Sequence, residues 1–84
     1  MKQKFRRAYD ALQRMGVPVY ERPDMDGRFH INAEAEDSYK WADYWSSGKT
    51  AWEFGVNPRV ENTLRRHGLY SEWVNPGELG VYEL

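Results

Sequence analysis

An α+β domain of order α-β-β-α-α-β-β is what these 84 residues predict, and three observations carry that expectation. Apolar residues recur at helical spacing over 2–15. Two pairs of alternating runs, 17–22 with 28–32 and 70–74 with 79–82, are each joined by a stretch of Asp, Asn, Pro and Gly, as in β-hairpins. A capped helix signal lies between the hairpins at 57–68. Together these place one small domain over residues 1–84, with the two hairpins in one antiparallel sheet packed against helices.

In the first helix Phe5, Ala8, Tyr9, Leu12 and Met15 share a narrow stripe, with Gln3, Arg7, Asp10 and Arg14 opposite. Arg6–Asp10 and Asp10–Arg14 are i, i+4 pairs that solvate the outer side. Gly16 stops the helix and Val17-Pro18 leads away from it. The first hairpin is Val17 to Arg22, the turn Pro23-Asp24-Met25-Asp26-Gly27, and Arg28 to Asn32. Asp24 and Asp26 have neither the third ligand nor the closing glutamate of a calcium loop, so they read as turn residues. His30 alternates away from Phe29 and Ile31, which predicts a surface position. With His67 expected to cap the late helix, the two histidines do not read as a metal pair.

Glu34 to Ser46 reads as the second helix, acidic in its first turns and carrying a Glu36–Lys40 pair. Trp41, Ala42 and Trp45 fall together and are expected against the sheet, with Tyr44 and Tyr39 on the flanks. Ser47 to Gly55 is irregular. Its Gly48-Lys49-Thr50 copies the tail of a phosphate-binding loop, but Asp43 stands where the first glycine belongs and a helix precedes it, so no phosphate site is expected. Trp52 and Phe54 are expected to pin this loop to the body; a ring left exposed there would be a recognition element.

The late helix starts at Asn57, a good N-cap, with Pro58 at its first position. Val60, Leu64 and His67 form its buried face, and Gly68 ends it with Leu69 just beyond. Tyr70 to Val74 and Leu79 to Tyr82 are the strands of the second hairpin, around Asn75-Pro76-Gly77-Glu78. The two hairpins differ in turn type and loop length, which argues against reading them as a duplication.

Composition narrows the function. There is no cysteine, hence no disulfide framework or thiolate chemistry, which favours a cytoplasmic setting. Neither a membrane span nor a signal peptide is readable. Thirteen residues are aromatic against twelve Leu, Ile and Val, which predicts a core built largely from rings and some ring surface outside. Net charge is −1 but segregated: 1–23 carry +4, 24–44 carry −4, 45–68 carry +2 and 69–84 carry −3. That pattern excludes a uniformly basic polymer binder.

No nucleophile–base arrangement, metal-ligand spacing or phosphate cradle is present, so neither an enzyme nor a cofactor is expected. What remains is a small protein-binding module, an accessory, regulatory or inhibitory protein of the size of those encoded by phages and bacteria. Its candidate contacts are Tyr44, Trp45, Trp52 and Phe54, because Trp and Tyr dominate interface hot spots. The partner is expected to be another protein, and the module itself a monomer or homodimer. The alternative is a nucleic-acid binder whose helix 58–67 presents Arg59, Asn62 and Arg66, opposite Val60 and Leu64, with the hairpin as a wing. Against it stand Glu72, Glu78 and Glu83 in a hairpin with no basic residue.

Overall fold

The structure, a computed structural model, describes residues 1–25, 27–45 and 52–84. Helix α1 spans Gln3–Met15, β1 and β2 span Val19–Arg22 and Arg28–Asn32, α2 spans Pro58–Arg66, and β3 and β4 span Leu69–Asn75 and Glu78–Glu83. The four strands form one antiparallel sheet in the order β1-β2-β4-β3. The hairpins therefore join through their return strands, with Ile31 opposite Leu79 and His30 opposite Gly80. Fold class and element order follow the patterning. The middle helix, however, is reduced to a single 3-10 turn at Ser38–Lys40.

Each half of the chain runs helix, glycine stop, hairpin. After α1, Gly16 takes φ 97° and donates to the Gln13 carbonyl, while Val17 donates back to Leu12. This closes the helix with a buried Val17 against a buried Leu12. Val17 thus belongs to the helix stop, and β1 begins two residues later than its alternation suggests. At α2 the Asn57 side chain accepts from the Arg59 N–H at 2.9 Å, and Pro58 occupies the first turn. His67 Nδ1 lies 2.8 Å from the Thr63 carbonyl, and Gly68 at φ 74° ends the helix, both in the expected roles.

The core lies between the helices and one face of the sheet. Phe5, Ala8 and Leu12 of α1 and Val60 and Leu64 of α2 meet Phe29, Ile31, Leu69, Leu79 and Val81. Phe29 receives Phe5 and Tyr9 edge-to-face at 6.3 and 5.4 Å, a geometry worth roughly 0.5–1.5 kcal/mol per pair beyond area burial. The expectation of a ring-built core is corrected here: among the described residues Phe5 and Phe29 are the buried rings, and the rest is aliphatic. Leu, Ile and Val recur at the inward positions of both helices and three strands. Most rings sit instead at turns, strand ends or the outer face, and two of them, Tyr20 and Trp73, donate there to Glu78 and to the Phe54 carbonyl.

The Glu34–Ser46 helix does not form over its described residues. Asn32 Oδ1 accepts from the Glu34 N–H, Asp37 takes a left-handed φ of 65°, and Asp43 Oδ1 accepts from the Trp45 N–H. Short polar side chains that bond nearby backbone compete with helix formation. The pieces they leave are too short to nucleate one. Lys40 accordingly meets Asp37 at 4.0 Å rather than Glu36. Asp26 of the first turn, Ser46, and the segment 47–51 with its Gly48-Lys49-Thr50 lie outside the described residues.

The sheet's other face carries no helix, yet His30 on it is 0% exposed, correcting its predicted surface position. Opposite it stands Gly80, which has no side chain, and the Tyr82 ring folds back over that glycine. Tyr20 closes the other side edge-on at 6.1 Å. The imidazole Nδ1 lies 2.5 Å from Glu78 Oε2, which also accepts from the Tyr20 hydroxyl at 2.8 Å and from Arg22. Burial pushes the Glu78 carboxyl up, but these bonds and the neighbouring positive charge outweigh it and hold the carboxyl below its usual range. Burial, reinforced by Glu78, raises Tyr20 in turn.

Candidate protein-binding site

Three of the exposed rings are positioned by a clamp in the chain. Asp43 N–H donates to the Gly55 carbonyl at 2.8 Å, Asn57 N–H donates to Trp41 at 2.9 Å, and Ala42 bridges Val56. Gly55 lets the two stretches approach this closely: its φ is 74°, and a Cβ there would collide with the Asp43 carbonyl. Ala42 and Val56 are buried behind the bridge, and Trp41 packs half-buried against the core. Residues just beyond the bridge on either side are thrown outward together.

Those residues are Tyr44, Trp45 and Phe54. Trp45 is 75% and Phe54 82% exposed. Trp45 was expected in the core as part of a helix; without the helix, the bridge at Ala42 leaves it outside. Phe54 was expected to pin its loop through its ring. It does so through its backbone instead, its carbonyl accepting from Trp73 Nε1 at 2.6 Å, while a left-handed φ of 57° carries the ring to solvent. Trp52 is half-buried. The organising ring is Trp73 on β3. Tyr44 stands edge-to-face on it at 5.3 Å and on Trp45 at 5.1 Å. The sequence signal for Trp73 is the alternation Leu69, Ser71, Trp73, which puts it on the helix side of β3.

Beside this cluster runs a groove of about 750 Å³ between α2 and β3. Pro58, Asn62 and Arg65 form the helical wall, Phe54 closes one end, and buried Val56 and Leu79 lie at its base. Glu61 on the wall accepts from the Ser71 hydroxyl and meets Arg65 at 3.8 Å. Of the four sequence-predicted contacts Phe54 lines the groove, and Tyr44, stacked on the lining residue Trp73, leads from it to Trp45. Volumes of several hundred Å³ with ring walls suit a side chain or short segment of a partner.

The residues of the alternative are exposed but locally engaged. Arg59 stacks over Trp41 at 5.4 Å, and Arg66 donates to Thr63 Oγ1 at 3.3 Å. Asn62 lines the groove beside Glu61 and Arg65. The acidity of the second hairpin is also reduced: Glu78 is taken by Arg22, and Glu83 by Lys2 and Lys4 at 3.0 and 3.2 Å. Hydrogen bonds from those two lysines, with their charge, lower the Glu83 carboxyl's pKa. Glu72 is left as the hairpin's unpaired acid among the described residues. No helix among the described residues is long and apolar enough to cross a membrane. Comparison of the chain with protein families, with curated proteins and with solved structures finds no match.

Proposed function

We propose that the protein is a small protein-binding module whose contact surface is the ring cluster Tyr44, Trp45 and Phe54 around Trp73 and the groove beside it. The observation that carries this reading is the exposure of three rings together, two of them above 70%. Large exposed rings on a small globule are costly to leave in water and are the residues that anchor interfaces. A cytoplasmic setting fits the absence of cysteine. Nucleic acid is the weaker reading, because Arg59, Arg65 and Arg66 each spend their guanidinium on a neighbour, and free phosphate contacts are what such binding needs.

The test is capture of partners by the immobilised protein, compared with Trp45→Ala, Phe54→Ala and Arg66→Ala variants of verified fold. A protein retained in high salt, lost with either ring and kept by Arg66→Ala, is the expected result. Truncating a central anchor should lower affinity by at least about 2 kcal/mol, some thirty-fold. Capture that is nuclease-sensitive and abolished by Arg66→Ala would reverse the choice.

A further inference from the structure

The groove is more specific than a patch of rings, because one of its walls is an unpaired strand edge. In the sheet order β3 is terminal. Four consecutive β3 residues, Tyr70 to Trp73, line the groove. Side chains of consecutive strand residues point to opposite faces, so only the strand's free edge can present all four to one cavity. The register identifies which backbone groups lie there. The Leu84 N–H donates to the Gly68 carbonyl, making Gly68 and Leu84 a hydrogen-bonded pair. Tyr70–Tyr82 and Glu72–Gly80 continue that series, while Ser71–Val81 and Trp73–Leu79 alternate with it. Alternate pairs of an antiparallel ladder direct their N–H and C=O away from each other. Ser71 and Trp73 therefore point theirs outward, and among the described residues these groups have no backbone partner.

We infer that this site binds an extended segment of its partner as a fifth strand, paired with β3 through the backbone of Ser71 and Trp73. The inference rests on the protein-binding reading and names how the partner is held. Backbone pairing supplies the affinity and alternate side chains the specificity. Partner residues opposite Ser71 and Trp73 share their face and enter the groove against Phe54, Val56 and Trp73, so they are apolar. The residue between them lies opposite Glu72, on the face without helices, where an exposed carboxylate that meets no cation among the described residues calls for lysine or arginine. The recognised pattern is apolar–basic–apolar. A second copy of this chain fits less well: β3 against β3 offers Glu72 as its charged residue to another Glu72, and the α2 wall of each copy stands beside the edge the other needs. The irregularity between Trp73 and Asn75 ends the usable edge.

The probe is a capped peptide Thr-Thr-Val-Lys-Val-Thr-Thr, titrated to about 1 mM and followed by amide hydrogen exchange and NMR shifts. In the free monomer Ser71 and Trp73 amides should exchange fast, while Tyr70 and Glu72 are protected. The peptide should slow and shift Ser71 and Trp73. N-methylation of its two valines should abolish binding, and Lys→Glu in the peptide should weaken it about five-fold. Protection of Ser71 and Trp73 in the free monomer would overturn the inference, as would protection accompanied by dimerisation in sedimentation. A peptide that shifts Tyr44 and Trp45 but leaves Ser71 and Trp73 unchanged would overturn strand addition and leave the ring-cluster reading standing. No shift at either place would overturn it too, and partner capture would then judge the ring cluster separately.

Discussion

The two edges of the sheet are treated in opposite ways. β1 has four residues and lies between Pro18 and Pro23. Its outward groups are few: the Val19 N–H already donates to Val17 at 2.9 Å, and the Glu21 side chain is drawn to Arg6 of α1 at 3.0 Å. Its other side chains are tied too, Tyr20 to Glu78 and Arg22 to Glu78 and Asp24. Short length, flanking prolines and edge charges are how proteins blunt an edge against unwanted pairing. β3 has seven residues, no proline before Pro76, and one charge, Glu72, that is unpaired among the described residues. It is bordered rather than blunted, by α2 on one side and the rings at its far end. A free edge of that length persists as a hazard unless something specific covers it, and the difference between the edges locates where a partner is expected.

The largest test asks whether the two edges belong to one cooperative sheet. Leu79 is fully buried and lies between Ile31 and Trp73, touching both hairpins. Leu79→Ala should destabilise the fold by about 2–5 kcal/mol, through lost burial and the cavity left behind. In urea the amide signals of Tyr20 and Tyr70 should then disappear at one common midpoint. Separate midpoints would mean that the edges unfold independently and that their contrast is local.

A smaller effect should distinguish the tied edge from the untied one. Glu78 accepts from Tyr20, Arg22 and the buried His30. Glu78→Ala strands an imidazole whose Nε2 already has no partner among the described residues, and a buried unsatisfied group costs about 1–3 kcal/mol. Glu72→Ala on the other edge should change stability by less than about 0.5 kcal/mol. Comparable losses in chemical denaturation would erase the distinction.

Both hairpins, the helices at 3–15 and 58–66 and the glycine stops were legible because each is encoded locally: periodicity, a cap and turn residues within a few positions. Trp45 and His30 were not, for different reasons. Trp45 depended on a helix that the left-handed Asp37 and the Asp43 side chain bonded to the Trp45 N–H interrupt, and on a clamp from Asp43 to Gly55, twelve residues on. His30 alternates as a surface residue should. It is buried because its cross-strand neighbour is Gly80, fifty residues on, and a missing side chain there admits Tyr82. The candidate rings Tyr44, Trp45 and Phe54 were visible in composition, whereas Trp73, which gathers them, and the free edge of β3 depend on the sheet order. No local pattern specifies which strand ends up outermost.

A near-cancelling change in stability is expected at Phe54, which stands beside the open edge. A bulky residue at φ 57° is held in the left-handed region, which costs an L-residue roughly 1–2 kcal/mol. Its ring buries little to offset that, being 82% exposed. Backbone strain that packing does not repay is characteristic of positions kept for function. Phe54→Gly removes the strain but adds freedom to the unfolded chain, roughly 0.5–1 kcal/mol in the opposite direction. The net should lie within about 1 kcal/mol of zero, on the side of greater stability. Phe54→Ala keeps the strained backbone and should not gain in this way. Both variants should lose the partner alike, because both lose the ring. Urea denaturation of the two variants beside the unsubstituted protein makes the comparison. A loss of more than about 2 kcal/mol in Phe54→Gly would show that the ring holds the clamp together, and the open edge would then have a structural guard rather than a binding residue at its end.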